Sequence, residues 1–156
     1  MSRARVAFIG IGRMGWHMAA HLAAAGHTVR VHVRRNIPES LASAGLQRYN
    51  SAREVAEHSD IIFTMLPDRP DVEKVLFGEH GVASALTKGK IVVDMSSISP
   101  ITTKEFAQKI NALGAEYLDA PVSGGEVGAK NAALTIMVGG SEATFNRVKP
   151  LFELMG

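Results

Sequence analysis

The 156-residue chain contains no cysteine, which excludes disulfide bonds, thiolate catalysis and cysteine-ligated metals. It also lacks any apolar run approaching the roughly 20 residues that a membrane-spanning helix requires. The N-terminal residues lead directly into an apolar strand, without the longer apolar segment and cleavage site of a signal peptide. We therefore expect no membrane partner and, by default, a cytoplasmic protein.

Acidic residues are absent from the first 38 positions, which carry six arginines. The first acid is Glu39, and the whole chain has 17 basic and 15 acidic residues, so its later part is net negative. A basic segment can bind nucleic acid, but here no aromatic residues interleave with the arginines and no reading helix accompanies them. We expect no nucleic-acid partner.

The apolar fraction of 46% and the charged fraction of 21% are ordinary for a globular protein, and the length fits one domain, residues 1–156. Predicted strands lie at 6–9, 28–33, 47–49, 60–66, 91–94, 116–119 and 134–138. Predicted helices lie at 13–25 (ended by Gly26), from Asn36 or Pro38 to Gly45, at 52–58 (capped by Ser51 with Glu54), 71–76 and 99–114, and from Ser141 onward. Apolar strands without alternation are covered on both faces. We therefore predict the α/β class, a Rossmann-like doubly wound, mostly parallel sheet with helices on both faces.

Three glycines follow the first predicted strand, in the segment Gly10-Ile11-Gly12-Arg13-Met14-Gly15. A glycine turn between a buried strand and a helix leaves backbone N–H groups pointing outward, where they bind the pyrophosphate of a dinucleotide. Gly10 permits the tight turn, Gly12 lets the pyrophosphate approach the backbone, and Gly15 lets helix and strand pack closely. In its strand–turn–helix context, the pattern predicts a dinucleotide site that includes all six residues.

The loop after the second predicted strand indicates which dinucleotide binds. NAD sites commonly place an acid roughly 20 residues after the glycines, on the ribose 2′-hydroxyl. Here the strand ends in Arg34 and Arg35, and a carboxylate is missing. Guanidinium groups suit a 2′-phosphate, so we predict NADP(H) as the preferred cofactor and NAD(H) as the second candidate. The alternative is that both arginines are solvated loop charges.

The loop after the predicted strand at 60–66 is expected at the same edge, because ligands bind outside the carboxyl ends of parallel strands. Met65, Leu66 and Pro67 can lie along the nicotinamide riboside. The alternative is a strand end stopped by proline, whether or not it contacts a cofactor.

Five segments carry a resemblance to a known family: FIGIGRMG at 8–15, TMLP at 64–67, DMSSISP at 94–100, DAPVSGG at 119–125 and TIMVGG at 135–140. In order and spacing they resemble the N-terminal domain of the β-hydroxyacid dehydrogenases. That family includes 3-hydroxyisobutyrate dehydrogenase, tartronate semialdehyde reductase (2-hydroxy-3-oxopropionate reductase) and the glyoxylate/succinic semialdehyde reductases. The resemblance implies an oxidoreductase that interconverts a small 3-hydroxy acid and its semialdehyde. The 6-phosphogluconate dehydrogenases share the Ser-Gly-Gly feature, but the lead-in Asp119-Ala120-Pro121 favours the smaller-acid family.

The resemblance also implies roles for individual residues. Ser123, Gly124 and Gly125 match a family segment in the substrate pocket, and a Ser-Gly-Gly turn can present several N–H groups to an oxyanion. The alternative is a plain tight turn. Ser96 and Ser97 match a family segment near the nicotinamide, and Ser97 is the preferred contact. The alternative is a cap assisting the helix at Ser99, and one serine can do both. Arginine-containing loops after the second strand resemble those of the NADPH-preferring reductases.

The chain departs from the family in length. Members are much longer, and the resemblance implies a largely helical second domain with much of the homo-oligomer contact. The family's catalytic lysine lies in a Gly-rich segment that has no counterpart here, and the lysines present match no such motif. We therefore predict no catalytic residue in this chain, which looks like a truncated domain that binds NADP(H) with little or no turnover. The alternative is a stand-alone, non-catalytic NADP(H)-binding or interaction module.

The histidines raise the question of a metal site. His17 and His21 have the i, i+4 helical spacing that some zinc sites use, but no acid follows nearby. Their helix is also expected to pack near the cofactor and the sheet. We therefore predict no bound metal.

Overall fold

The computed structural model describes residues 3–10, 12–32 and 45–156. The strands are β1 (Arg5–Ile9), β2 (Thr28–His32), β3 (Gln47–Arg48), β4 (Ile61–Thr64), β5 (Ile91–Asp94), β6 (Glu116–Asp119), β7 (Val122–Ser123) and β8 (Thr135–Ile136). The helices are α1 (Arg13–Ala24), α2 (Ala52–Glu57), α3 (Arg69–Phe77), α4 (Pro100–Ala112), α5 (Gly125–Lys130) and α6 (Glu142–Phe152), with a 3-10 turn at Val82–Ala85. Within the described ranges, none of the helices has the length and apolarity needed to cross a membrane.

Six strands form one parallel sheet in the order β3-β2-β1-β4-β5-β6. The strand order reverses between β1 and β4, which pair with Val6 opposite Ile61. Such a reversal opens the crevice at the carboxyl ends of the strands in which open α/β sheets bind ligands. β7 and β8 form a separate antiparallel pair, with Val122 opposite Ile136. The predicted mostly parallel, doubly wound sheet is confirmed.

Apolar side chains cover both faces of this sheet. On one face, the rings of Phe8 and Phe63 stack with centroids 5.7 Å apart, and Phe152 of α6 packs edge-on against Phe63 at 6.3 Å. On the other face, Ile62 shares a buried cluster with Phe106 of α4. Every residue of β4 and β5 is buried, because strands with helices on both sides have no solvent face.

Helix ends follow the capping residues in the sequence. Ser51, Ser99 and Ser141 each precede a helix, and each Oγ accepts a hydrogen bond from a backbone N–H of the first turn. Gly26 follows α1 with φ of +96°, and its N–H bonds to the carbonyl oxygen of Ala23 at 3.0 Å. These predicted boundaries are confirmed.

The strand predicted at 60–66 is shorter in the structure and ends at Thr64. Met65 N–H still bonds to the carbonyl oxygen of Ile9 at 3.0 Å. The chain then leaves the ladder and packs on Gly10. The apolar character of Met65 and Leu66 therefore reflects packing in a loop rather than strand pairing.

Other predicted boundaries also differ. The helix predicted at 71–76 begins at Arg69, because the side chain of Asp68 caps it by accepting the N–H of Asp71. The strand predicted at 134–138 is reduced to Thr135–Ile136 in the small antiparallel sheet. The helix predicted between Asn36 and Gly45 lies outside the described residues.

Candidate dinucleotide-binding site

Gly10 joins β1 to α1 in a turn that requires glycine. Its φ is +83°, and a methyl group there would collide with the carbonyl oxygen of Met65 and the side chain of Leu66. The N–H of Gly12 bonds to the carbonyl oxygen of Gly10 at 3.1 Å, which closes the turn. The tight turn predicted at Gly10 is therefore present, and it lies against the loop that follows β4.

Among the residues that the structure describes, no side chain caps the backbone donors at the N-terminus of α1. Gly12 precedes the helix, and the first turn contains no acidic residue. The first intrahelical bond runs from Trp16 N–H to the carbonyl oxygen of Gly12 at 3.2 Å. The N–H groups of Arg13, Met14 and Gly15 therefore lie ahead of the intrahelical ladder. A methyl group on Gly12 would meet no atom within 4 Å, so uncapped donors beside open space fit the pyrophosphate of a dinucleotide.

Three of the predicted cofactor residues, Ile11, Arg34 and Arg35, lie outside the described residues, and their roles stay predictions. Gly15, by contrast, is buried within α1. Its predicted role, the close packing of the helix on the first strand, stays a prediction.

Met65, Leu66 and Pro67 form the loop after β4, called the β4 loop below. The N–H of Leu66 bonds to Ser96 Oγ at 2.8 Å. Met65 and Leu66 are half-buried and Pro67 is exposed. Because Met65 and Leu66 also contact Gly10, the structure brings the β4 loop and the glycine turn together at the carboxyl edge of the sheet.

A buried carboxylate supports this edge, although none of the predicted sites includes it. Asp94 ends β5 and is fully buried. Its Oδ1 accepts from Thr64 Oγ1 at 2.9 Å and from Ser96 N–H at 3.0 Å, and its Oδ2 accepts from the Tyr117 hydroxyl at 3.3 Å. Burial raises the pKa of Asp94, and these hydrogen bonds partly oppose the rise. The signal in the sequence was an acid that ends an apolar strand, Ile91–Asp94.

A second acid, Asp119, ends the neighbouring strand β6. Asp94 and Asp119 are partners in the parallel register. Burial, and secondly the Asp94 carboxylate, raises the pKa of Asp119 to about 6. Burial likewise raises the pKa of Tyr117, whose hydroxyl donates to Asp94. The carboxyl edge therefore contains an acid that titrates well above the usual aspartate pKa of about 3.9.

Ser97 follows the Asp94 network directly and is exposed. The residue that caps α4 is Ser99, whose Oγ accepts from the N–H groups of Ile101 and Thr102. A capping role therefore does not account for Ser97. The structure places Ser97 at the carboxyl edge, next to the serine that bonds the β4 loop.

The predicted substrate segment lies at the junction of β7 and α5. Ser123 ends β7, Gly124 precedes α5 with φ of +133°, and Gly125 begins the helix with φ of +64°. All three residues are exposed. The segment is thus a strand-to-helix junction rather than a plain tight turn. The pattern of the sequence did not reveal α5, because its six residues are too few to show a helical period.

Two histidines connect α1 to α5. His21 Nε2 lies 2.9 Å from the carbonyl oxygen of Ala129 and 3.0 Å from that of Lys130. This nitrogen therefore carries the proton, because carbonyl oxygens only accept. His17 Nε2 lies 3.9 Å from the carboxylate of Glu126. These contacts join the predicted substrate segment to the helix of the glycine turn. Among the described residues, no group of three or more potential metal ligands occurs.

The opposite, amino edge of the sheet carries an open cavity of about 480 Å³. Arg5 donates two hydrogen bonds there to Asp60, at 2.7 and 3.0 Å. Lys90 donates to two backbone carbonyl oxygens of α2, and Arg147 donates to the carbonyl oxygen of Gly89 at 3.2 Å. These cations already have protein acceptors, so the candidate site lies at the carboxyl edge.

The fold and the glycine turn together define a class of protein, the Rossmann-type dinucleotide-binding domain. Comparison with known families refines that class. Residues 5–156 match the family described as the NAD binding domain of 6-phosphogluconate dehydrogenase. The chain belongs to this family and is an NAD(P)-binding domain.

Relatives with assigned names narrow the resemblance. A 2-hydroxy-3-oxopropionate reductase of Escherichia coli (strain K12) is 58% identical over 152 residues, which are 97% of this chain and 52% of the relative. The solved 3-hydroxyisobutyrate dehydrogenase of Mycobacterium tuberculosis with L-serine matches with a TM-score of 0.91 and 36% identity, over 99% of this chain and 53% of that one. A protein described as Psf3 in complex with NADP+ and 2-OPP matches with a TM-score of 0.89 and 29% identity, over 96% of this chain and 54% of that one. The chain spans about half the length of these relatives, and its resemblance to the β-hydroxyacid dehydrogenases is confirmed.

Proposed function

We propose that the chain is the cofactor-binding domain of an NADP(H)-dependent oxidoreductase that interconverts a small 3-hydroxy acid and its semialdehyde. One observation carries the proposal: the uncapped N-terminus of α1, which follows Gly10 and Gly12, faces open space beside the β4 loop. This arrangement supplies backbone donors for a pyrophosphate. A bound nicotinamide dinucleotide supplies the hydride chemistry, and the residues of this chain bind and orient it.

We assign three parts of the cofactor to three parts of the chain. The pyrophosphate binds the glycine turn and the first turn of α1, at Gly10, Ile11, Gly12, Arg13, Met14 and Gly15. The nicotinamide riboside lies along the β4 loop and Ser97. The 2′-phosphate binds Arg34 and Arg35. The contact of the β4 loop with Gly10 supports this order, because it joins the first two parts into one surface.

The preference for NADP(H) rests on Arg34 and Arg35 and on the missing acid after β2. Two guanidinium groups stabilise a 2′-phosphate through charge-assisted hydrogen bonds, whereas a carboxylate at this position would repel it. The solved Psf3 protein, 29% identical to this chain, is in complex with NADP+. That complex shows that this fold accommodates the phosphorylated cofactor.

Fluorescence titration tests the cofactor proposal, because Trp16 in α1 is the single tryptophan of the chain. We expect NADPH to bind about tenfold more tightly than NADH. Arg34→Asp should weaken NADPH binding selectively, whereas Arg147→Asp changes the charge equally at the amino edge and should leave both affinities unaltered. Equal or tighter NADH binding would contradict the preference for NADP(H). If neither NADPH nor NADH binds, the proposed cofactor-binding function is contradicted.

The proposed substrate class rests on Ser123, Gly124 and Gly125. A hydroxyl group and backbone N–H groups at a helix start suit the carboxylate of a small hydroxy acid. The bonds of His21 to the end of α5 support this assignment, because they tie the segment to the helix of the cofactor site. The name of the Escherichia coli relative, 58% identical, refers to a substrate of this class.

We further propose that the 156-residue chain turns over little substrate. Reduction of a carbonyl needs a proton donor as charge builds on the oxygen. Three of its lysines lie in settings unlike a catalytic site: Lys109 lies 4.9 Å above the Phe77 ring, Lys149 pairs with Glu153, and Lys90 lies at the amino edge. A steady-state assay with NADPH and 2-hydroxy-3-oxopropionate should give rates near background. Clear turnover would contradict this part of the proposal and leave the binding of NADPH unaffected.

A further inference from the structure

The β4 loop is held by a chain of hydrogen bonds that starts at a buried carboxylate. Asp94 Oδ1 accepts the N–H of Ser96 at 3.0 Å, which fixes the backbone of that serine. Ser96 Oγ in turn accepts the N–H of Leu66 at 2.8 Å. Asp94 and Ser96 are 0% and 2% exposed, so water cannot easily replace either partner. Ser96 Oγ is the acceptor of the Leu66 N–H among the residues that the structure describes.

This series of hydrogen bonds ends at Leu66, which contacts the glycine turn. The side chain of Leu66 and the carbonyl oxygen of Met65 occupy the space that any side chain at Gly10 would need. Loop and turn are therefore packed without a gap. A shift of Leu66 must alter the surface that the proposed function assigns to the pyrophosphate and the nicotinamide riboside.

We infer that Ser96 is a positioning residue of the dinucleotide site, whose hydroxyl fixes the β4 loop on Gly10 and so sets the affinity for the nicotinamide half of the cofactor. Asp94 fixes Ser96 in turn. The inference rests on the proposed function, since it names the group that shapes one part of that site. Ser96 acts through Leu66 and needs no contact with the cofactor.

Tyr117 provides a matched control. Its hydroxyl donates to the other oxygen of Asp94 at 3.3 Å, and its strand β6 is separated from β4 by β5. Ser96→Ala and Tyr117→Phe each remove one hydroxyl from the same buried network. Only the first change releases the N–H of Leu66. A merely structural role of the network predicts the same behaviour from both variants, whereas a positioning role does not.

Two probes bound to the full chain test the inference: NADPH, and adenosine 2′,5′-bisphosphate, which lacks the nicotinamide half. We expect Ser96→Ala to lower the NADPH affinity about tenfold and to leave the affinity for the bisphosphate within about twofold. Tyr117→Phe should leave both affinities within about twofold, although its Tm falls. Ser96→Cys keeps the buried volume with a weak acceptor and should lower the NADPH affinity as alanine does.

Amide hydrogen exchange gives a readout that needs no ligand. The N–H of Leu66 should exchange faster in Ser96→Ala and Ser96→Cys than in the unaltered chain, and at an unchanged rate in Tyr117→Phe. Unaltered NADPH affinity in both Ser96 variants, or equal losses for both probes, would overturn the inference and leave the proposed function standing. Failure of the unaltered chain to bind NADPH would overturn both.

Discussion

The amino and carboxyl edges of the parallel sheet arrange their polar groups in opposite ways. At the amino edge, half-exposed charges pair with each other, as Arg5 does with Asp60, and Lys90 and Arg147 beside the open cavity donate to backbone carbonyl oxygens. At the carboxyl edge, the charge of Asp94 is buried among hydroxyl and N–H donors. Within the described part of the chain, the N–H groups that begin α1 have no side-chain cap.

This difference shows that an abundance of charge does not mark a ligand site. Exposed ion pairs stabilise a fold weakly, because water screens them and both partners are already satisfied. A buried carboxylate costs desolvation and persists only where its hydrogen bonds are complete. We therefore assign the paired charges around the open cavity at the amino edge to fold stability and not to ligand binding. The edge with the uncapped backbone donors is the one to which we assign the proposed dinucleotide site.

Gly10→Ala should produce the largest effect, at the carboxyl edge. A methyl group would collide with Met65 and Leu66 and would require a positive φ, so we expect a loss of about 4 kcal/mol of unfolding free energy. NADPH binding should be lost as well. Urea denaturation and fluorescence titration measure the two losses.

Gly12→Ala is the control for that loss. A methyl group there meets no atom within 4 Å, so the stability cost should be about 1 kcal/mol or less. The NADPH affinity should still fall about tenfold, because the methyl group enters the space assigned to the pyrophosphate. Normal NADPH binding by Gly12→Ala would contradict the assignment of the pyrophosphate to this turn.

Asp94→Ala and Asp60→Ala compare the two edges directly. The first leaves the donors of Thr64, Ser96 and Tyr117 without their acceptor, which should cost about 3 kcal/mol. The second breaks a half-exposed ion pair and should cost less than about 1 kcal/mol. If chemical denaturation gives equal losses of unfolding free energy for the two variants, the proposed difference between the edges is contradicted.

Asp119→Asn should change how stability depends on pH. The pKa of Asp119 is about 6 in the folded chain and about 3.9 in the unfolded one. Between these values the unfolded chain releases the proton and the folded chain keeps it, so stability falls as pH rises from about 4 to 6 and is then level. The fall from this group should be about 2 kcal/mol, allowing for partial exposure. In Asp119→Asn, denaturation curves across this range should show a smaller fall. If Asp119→Asn and the unaltered chain show the same dependence of stability on pH, the raised pKa of Asp119 is contradicted.

At the amino edge, Asp60 should change the dependence of stability on pH by a smaller amount and in the opposite direction. The hydrogen bond from Arg5 lowers the pKa of Asp60, so the stability from this pair is present above the ordinary aspartate pKa and is lost as pH falls through the lowered value. Arg5→Gln should reduce this loss at acid pH and leave the NADPH affinity unchanged. A weakened NADPH affinity in Arg5→Gln would show that the amino edge influences cofactor binding, and would contradict the proposed independence of the two edges.

Much of the fold was predictable because its signals are local. The apolar runs at 6–9 and 91–94 predict buried parallel strands, and Ser51, Ser99 and Ser141 mark helix starts that the structure confirms. The run at 60–66 misled because Met65 and Leu66 are apolar for a tertiary reason, their packing on Gly10. A pattern within one segment does not distinguish these two causes of burial.

The network around Asp94 was not predictable, because its members come from three strands. Thr64 and Tyr117 lie 30 and 23 positions away from Asp94 in the sequence, and the parallel register brings them together. The glycine turn, in contrast, is a contiguous motif and was predicted. Arg34 and Arg35 lie outside the described residues, so the preference for NADP(H) stays a prediction that titration decides.

The central position of β1 has a consequence for the order in which the chain can fold during synthesis. β1 pairs with β2 on one side and with β4 on the other, and its edge residue Arg5 lies 55 positions before its partner Asp60. At about 5–20 residues per second, a ribosome needs about 3–11 s to make that intervening stretch. For that time one side of an apolar strand has no native partner. An unpaired strand side favours aggregation, so chaperone binding to β1 should be sought in the interval before β4 emerges.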